Sequence, residues 1–169
     1  MSEHVPQNDP TSSDEQQYQP RTVTVEIDPV KLELLSQRSS GAGWFNTVAL
    51  LAIINSALTF MEANLRFIFG LGFADFAAAV AQASESSGMK VVAIGITLSA
   101  AATFYWLGLK ARKGVTWAFA LGMVLYTLDG MLWVLAQQWL EVGCHAFAVW
   151  MMFKGMQANM TYKKLYPQD

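Results

Sequence analysis

A chain of 169 residues has the length of one domain, and it is 53% hydrophobic and 14% charged, where a soluble domain carries nearer a quarter charged residues. The net charge of −2, with no basic stripe interleaved with aromatics, excludes nucleic acid as a partner. Cys144 is the only cysteine, which excludes an intrachain disulfide, a CxxC redox pair and a cysteine-based zinc site.

The chain opens on a polar segment. Residues 1–21 are rich in Ser, Gln, Asp, Glu and Pro, a composition that cannot bury enough surface to offset its ordering entropy, so a disordered tail is expected. No apolar stretch follows a basic start, so no cleavable signal is expected and the first span directs insertion. Seven of the thirteen acidic residues lie before Gly41: Glu3, Asp9, Asp14, Glu15, Glu26, Asp28 and Glu33. Residues 22–27 (Thr-Val-Thr-Val-Glu-Ile) alternate polar and apolar with a strand-like period. A lone strand has no ladder partner, so the expected form is an extended end to the tail (1–27). The alternative is a strand that pairs only in an oligomer or with a partner.

Asp28 and Pro29 read as a helix start, with Asp as N-cap and Pro at the first helical position. The spacing predicts a short juxtamembrane helix within 28–40, running to about Gln37 with Val30, Leu34 and Leu35 on one side. Gly41 and Gly43 are expected to end it.

The rest, residues 41–161, reads as an all-α membrane domain of four transmembrane helices. About 20 apolar residues at 1.5 Å each cross the hydrocarbon core. The predicted spans are 44–61, 90–109, 115–136 and 140–159, followed by a short tail at 162–169. Residues 67–82 are a difficult apolar stretch, since sixteen residues of helix reach only about 24 Å. The basic residues arbitrate. With four spans, Lys31, Arg38, Lys110, Arg112, Lys113, Lys154, Lys163 and Lys164 share one side, and only Arg66 and Lys90 flank the other. A fifth span would erase that asymmetry, so residues 67–82 are read as a short interfacial or re-entrant helix on the outer side. Both termini are then cytoplasmic, and the membrane is the cell (plasma or inner) membrane. Trp44, Phe45, Tyr105, Trp106, Trp117 and Trp139 fall near the proposed boundaries, as interfacial aromatics do.

Gly95, Ser99 and Thr103 recur every four residues on the second span, a stripe of small side chains that lets another helix approach closely. The expected use is packing inside the bundle, with a homodimer face as the alternative. Gly122, Tyr126 and Gly130 form a weaker counterpart.

Polar residues within the spans are the best pointers to function, because ionisable groups in a bilayer are costly and are paired or functional. Counting from the outer boundary at 1.5 Å per residue, Asn55, Thr97, Asp129 and His145 all fall roughly 9–12 Å deep, one polar group from each span. Asp129 and His145 lie on the two arms of a tight hairpin and are predicted neighbours, with Asp129 orienting the imidazole or sharing its proton. Tyr126 shares the Asp129 face, Glu141 lies four residues before His145, and Thr59 and Glu62 lie on the Asn55 face. Asp75 is expected to be solvated or to cap toward Arg66, and Lys154 to snorkel to the headgroups. Three uses of this layer compete: structural glue, a proton-linked or small-ligand site opening outward, and catalysis. No GxSxG, HExxH or phosphate loop is present. Cys144 and His145 are consecutive on a helix and do not face each other. No catalytic residue, metal site or cofactor is expected. The expected partners are the lipid bilayer and either further copies of the chain or a larger membrane protein.

Several stretches are familiar in wording: Trp44 followed by Ile54, Asn55 and Ser56; Phe69 to Gly72; Ala111 to Gly114; Gly122 to Gly130 with Tyr126, Asp129 and Gly130; and His145 to Ala148 running on to Gly155. Over roughly residues 22–158 the chain resembles a widespread group of small four-span bacterial integral membrane proteins of unknown function. The resemblance implies four spans and the hairpin, and implies no activity or substrate. The expected function is that of a non-enzymatic packing or partner-binding membrane component, the alternative a small transporter or proton-coupled component using Asp129 and His145.

Overall fold

The Asp28 carboxylate accepts hydrogen bonds from the backbone N–H of Val30 at 2.9 Å and of Lys31 at 3.4 Å, and Pro29 takes the first helical position. Helix α1 therefore starts where the sequence predicts. The computed structural model describes residues 28–61, 70–84 and 86–167. These form five helices: α1 (Pro29–Phe60), α2 (Gly72–Ala83), α3 (Ser87–Arg112), α4 (Thr116–Leu135) and α5 (Trp139–Leu165). No strand occurs among the described residues. The tail expected at 1–27, with its extended segment at 22–27, lies outside them, as do Glu62, Arg66 and the first three residues of the interfacial helix expected at 67–82.

Helix α1 corrects one boundary. The juxtamembrane helix expected at 28–40 and the span expected at 44–61 are a single helix of 32 residues. Glycine costs about 1 kcal/mol in a helix interior, but here it serves a crossing. A Cβ on Gly41 would lie 2.6 Å from Gly155 Cα, and one on Gly155 would lie 2.7 Å from Gly41 Cα. Helices α1 and α5 thus touch backbone to backbone, the arrangement that small residues permit between membrane helices.

Other ends shift by a few residues. The helix expected at 67–82 is described as Gly72–Ala83, α3 begins at Ser87 rather than 90, and α5 continues to Leu165, past the tail expected from 162. The α3–α4 turn follows from Gly114, whose φ is +80°. Its N–H donates to Ala111 O at 2.9 Å and that of Val115 donates to Lys110 O at 3.1 Å, the double closure that ends a helix on a left-handed residue. The α4–α5 turn repeats this scheme: Gln137 N donates to Val134 O at 3.1 Å and Gln138 N to Trp133 O at 2.9 Å. Its left-handed residue is Gln137, at φ 56°.

Helix α1 packs on α3 and α5, α4 packs on α5 and α3, and α2 lies against α1, α3 and α4 at the end where α1 finishes. The core is a chain of rings. Phe45 meets Phe119 at 5.9 Å and Phe104 at 6.3 Å, Phe104 meets Tyr126 at 6.0 Å, and Tyr126 stacks on His145 at 4.3 Å. Outward, the bundle exposes Leu50, Ile53, Val91, Leu98, Leu121, Val124, Leu128, Phe147, Trp150 and Phe153. So large an apolar surface suits hydrocarbon and not water. Helices α1, α3 and α4 are each long and apolar enough to cross a membrane. Helix α5 has 27 residues, but Glu141, His145, Lys154, Gln157 and Asn159 dilute its apolar density.

At the end shared by the start of α1, the α3–α4 turn and the end of α5, Trp106 and Trp117 stand 5.6 Å apart and Lys110 lies over Trp106. Lys154 lies over the Trp150 ring at 4.8 Å. Asn159 Nδ2 donates to Gly114 O at 3.1 Å and to Thr116 Oγ1 at 2.9 Å, tying α5 to the turn. The Tyr166 hydroxyl donates to the second oxygen of Asp28. That bond is the main cause holding the Asp28 carboxyl below the usual carboxylate range, and it pushes the Tyr166 phenol up.

The small-residue stripe does not pack inside the bundle. Gly95, Ser99 and Thr103 are exposed, nothing lies within 4 Å of a Cβ built on Gly95, and Thr103 Oγ1 turns back to Ser99 O at 2.8 Å. A period of four fixes that these residues share a face, and not which way the face points. The close approach is made at Gly41 and Gly155 instead.

Candidate functional site

The polar residues inside the bundle converge near the end of α1 that meets α2. Asn55 is fully buried, Thr97 is 2% exposed, Asp129 5% and His145 3%. Each comes from a different long helix, as the depth estimate predicts. Among the described residues they fall into two hydrogen-bonded groups.

The first group is centred on Asp129. His145 Nε2 stands 3.1 Å from Asp129 Oδ2, and His145 Nδ1 stands 2.9 Å from the carbonyl oxygen of Glu141, one turn earlier on α5. Tyr126, one turn before Asp129 on α4, stacks flat on the imidazole with 16° between the planes. The same carboxylate reaches α2. Gly72 N donates to Asp129 Oδ2 at 2.8 Å and Phe73 N donates to Oδ1 at 3.0 Å. These are the first two residues of α2, whose own N-cap, Leu71, has no side chain able to accept. Asp129 therefore caps α2 from another helix, placing negative charge where the exposed N–H groups and the helix dipole favour it.

The second group joins α1 to α2 and α3. Asn55 Nδ2 donates to Asp75 Oδ2 at 3.3 Å, and Gly70 leaves no room for a Cβ against the Asn55 amide. Ser56 Oγ and Thr97 Oγ1 share a hydrogen bond at 2.9 Å, while Thr59 Oγ1 donates back to Asn55 O at 3.0 Å. Thr97 thus pairs with α1 and not with Asp129 or His145.

Asp75 and Ser56 are the residues that sequence reasoning missed. Asp75 is not solvated: it is 7% exposed and faces Asn55. Its signal is the stripe Leu71, Ala74, Ala78 and Ala81, buried along one face of α2, which Asp75 joins one position on. Glu141 supports His145 through its backbone carbonyl. Glu62 lies outside the described residues.

Two apolar grooves flank the layer. One, of about 520 Å³, lies between α4 and α5, with Thr127, Gly130 and His145 at its inner wall. The other, of about 680 Å³, lies between α2 and α4, where Phe73, Phe76 and Trp133 surround Asp75. Among the described residues no group of three or more His, Cys, Asp or Glu side chains is placed to hold a metal ion. Compared with known proteins, the chain matches no family model, no curated protein and no solved structure.

Proposed function

We propose that this protein is a non-enzymatic integral membrane component that packs with copies of itself or with a larger membrane partner. The observation that carries the reading is the state of the polar layer: Asn55, Thr97, Asp129 and His145 are buried and each is engaged by a hydrogen bond to another helix. Polar contacts of this kind fix the register of membrane helices.

In this reading α1, α3, α4 and α5 cross the cell membrane. For α5, the polar residues that lower its apolar density support the assignment rather than oppose it: Glu141, His145 and Asn159 are buried against the bundle, and Leu140, Phe147, Trp150, Phe153 and Met160 face outward. Helix α2, at 12 residues or about 18 Å, is too short to span and rests on the outer half as an interfacial or re-entrant element. The end that gathers Lys110, Arg112, Lys113, Lys163 and Lys164 is cytoplasmic by the positive-inside rule, which puts both termini inside. We place the chain among the small four-span bacterial membrane proteins that it resembles. The outward stripe of Gly95, Ser99 and Thr103 is where a second membrane helix fits most closely.

The runner-up, a small transporter or proton-coupled component, is favoured by one feature, the 680 Å³ groove that reaches Asp75 beside the α2 start. Asp129→Asn and His145→Ala, reconstituted in vesicles, separate the two. Under the packing reading, vesicles with the unaltered chain pass no more protons than protein-free ones, and neither variant changes that. A proton flux that both folded variants abolish would replace packing with transport. Thiol labelling at Ser84→Cys in a Cys144→Ser background tests the topology: labelling from the cytoplasmic side would invert it.

A further inference from the structure

Two recesses meet on the outer face of the α1–α3 pair. Near the basic end, one of about 370 Å³ is lined by Ser40, Asn46, Thr47 and Arg112. Next to it, an apolar one of about 500 Å³ runs between Leu50 and Ile53 of α1 and Leu98 and Tyr105 of α3. Asn46 and Leu50 line both, so the two form one groove, polar at one end and apolar along the rest. The helices run antiparallel, and their register is fixed by three contacts: Arg112 beside Gly43, Asn46 against Gly108, and the Ser56–Thr97 hydrogen bond.

The dimensions of the groove are those of a lipid. Arg112 to Leu98 is roughly 21 Å of helix at 1.5 Å per residue. Half a bilayer with its headgroups is roughly 20–22 Å. Gly108, at the level of the Asn46 amide, lies roughly 15 Å from Leu98, which is half of the roughly 30 Å hydrocarbon core. The change from polar to apolar lining thus falls where a phospholipid changes from headgroup to acyl chain. We propose that this groove seats one anionic phospholipid of the leaflet at the basic end, with its phosphate on Arg112 and an acyl chain between α1 and α3.

A guanidinium presents a planar fork of donors that matches two phosphate oxygens. Arg112 Nη2 lies 3.9 Å from where Gly43 would carry a Cβ, so the guanidinium rests across α1 at the polar end of the groove. The Ser40 hydroxyl stands there as a second donor, while Thr47 Oγ1 donates to Gly43 O at 3.3 Å. Among the described residues no Asp or Glu lines either part, and Lys110 and Lys113 flank Arg112 in the sequence, adding to the attraction for an anionic headgroup. Leu50, Ile53, Leu98 and Tyr105 are exposed, so the apolar part opens to the surrounding chains. The site needs α1 and α3 to cross the bilayer and stands whichever side the basic end faces, so it goes beyond the packing role.

The test titrates the full chain, in a non-ionic detergent, with dioleoylphosphatidylglycerol or dioleoylphosphatidylcholine and counts bound lipid by native mass spectrometry. One phosphatidylglycerol per chain is expected, bound at least about tenfold more tightly than phosphatidylcholine. Arg112→Gln, at an exposed position, is expected to remove that preference and leave phosphatidylcholine unchanged. A phosphatidylglycerol with a photoreactive acyl chain is expected to cross-link to 48–53 and 98–105, and Ala102→Phe, exposed in the apolar part, to abolish those cross-links. Equal binding of the two lipids, an undiminished preference in Arg112→Gln, or cross-links confined to other helices would overturn the proposal. So would displacement of the lipid by soluble glycerol phosphate, which would leave the acyl chain no part in binding. A full chain that binds no phosphatidylglycerol, because a second copy or its own residues 1–27 fill the groove, would overturn it as well.

Discussion

Replacing Gly41 by alanine puts a methyl group 2.6 Å from Gly155 Cα, 2.9 Å from Gly155 N and 3.0 Å from Met151 O. Carbon atoms rest at about 3.5–4.0 Å, so α1 and α5 must part by roughly 1 Å along their closest line. All three obstructing atoms are backbone, and none can rotate away. Overpacking costs about 1–3 kcal/mol, and rigid neighbours place this site at the upper end. Alanine returns up to about 1 kcal/mol of helix propensity, leaving a net loss near 2 kcal/mol, or about thirtyfold in the folding equilibrium. Gly43, two residues along the same helix, is the control. A Cβ there meets only Arg112 Nη2, at 3.9 Å, so Gly43→Ala is expected to be neutral or slightly stabilising. Reversible unfolding in mixed micelles, followed by tryptophan fluorescence, measures both. Equal unfolding midpoints for Gly41→Ala and Gly43→Ala would refute the backbone contact between α1 and α5.

Ser56→Ala and Thr97→Val, alone and together, should give a coupling energy of about 0.6 kcal/mol and no more than about 1.7, the range for hydrogen bonds between membrane helices; a double-mutant cycle in the same micelles reads it. Asn159→Ala removes two hydrogen bonds to the α3–α4 turn and should cost about 1–3 kcal/mol, seen as a lower unfolding midpoint. Gln137→Gly relieves a left-handed backbone at a non-glycine residue and should stabilise by about 1 kcal/mol, seen as a higher unfolding midpoint. Tyr166→Phe removes the main cause of the lowered Asp28 titration. Asp28 favours the folded helix start above its unfolded value, and that contribution fades as pH falls through the folded one. The variant should titrate closer to an ordinary aspartate by carboxyl ¹³C NMR, and its helix start should fray at a higher pH than the parent's.

The features that could be read from the chain are those carried by local pattern. Asp28 and Pro29 mark a helix start because capping acts within one turn. The nearness of Asp129 and His145 follows from a short turn joining two long apolar runs, and the geometry bears it out at 3.1 Å. What escaped depends on the partner surface. Glycine serves both to end a helix and to let two helices touch, and only the position of Gly155 decides between them at Gly41. The face of the Gly95 stripe depends on where α1 and α4 lie. The tie between Asp129 and α2 is made to backbone N–H groups, which leave no mark on side-chain identity. Asp75 is expected in solvent or capping toward Arg66; the solvated alternative fails because its amide partner, Asn55, lies on a different helix, and Arg66 lies outside the described residues.

The capping of α2 by Asp129 also sets an order of events during synthesis. Gly72 precedes its acceptor by 57 positions and Phe73 by 56. At 5–20 residues per second, α2 leaves the ribosome roughly 3–11 s before Asp129 does. Through that interval α3 and most of α4 are made while the first turn of α2 has no acceptor for its N–H groups. The cap on α2 therefore forms only after the chain well beyond it has been made, and a nascent chain that ends before Asp129 has no acceptor from α4 for Gly72 and Phe73 N–H.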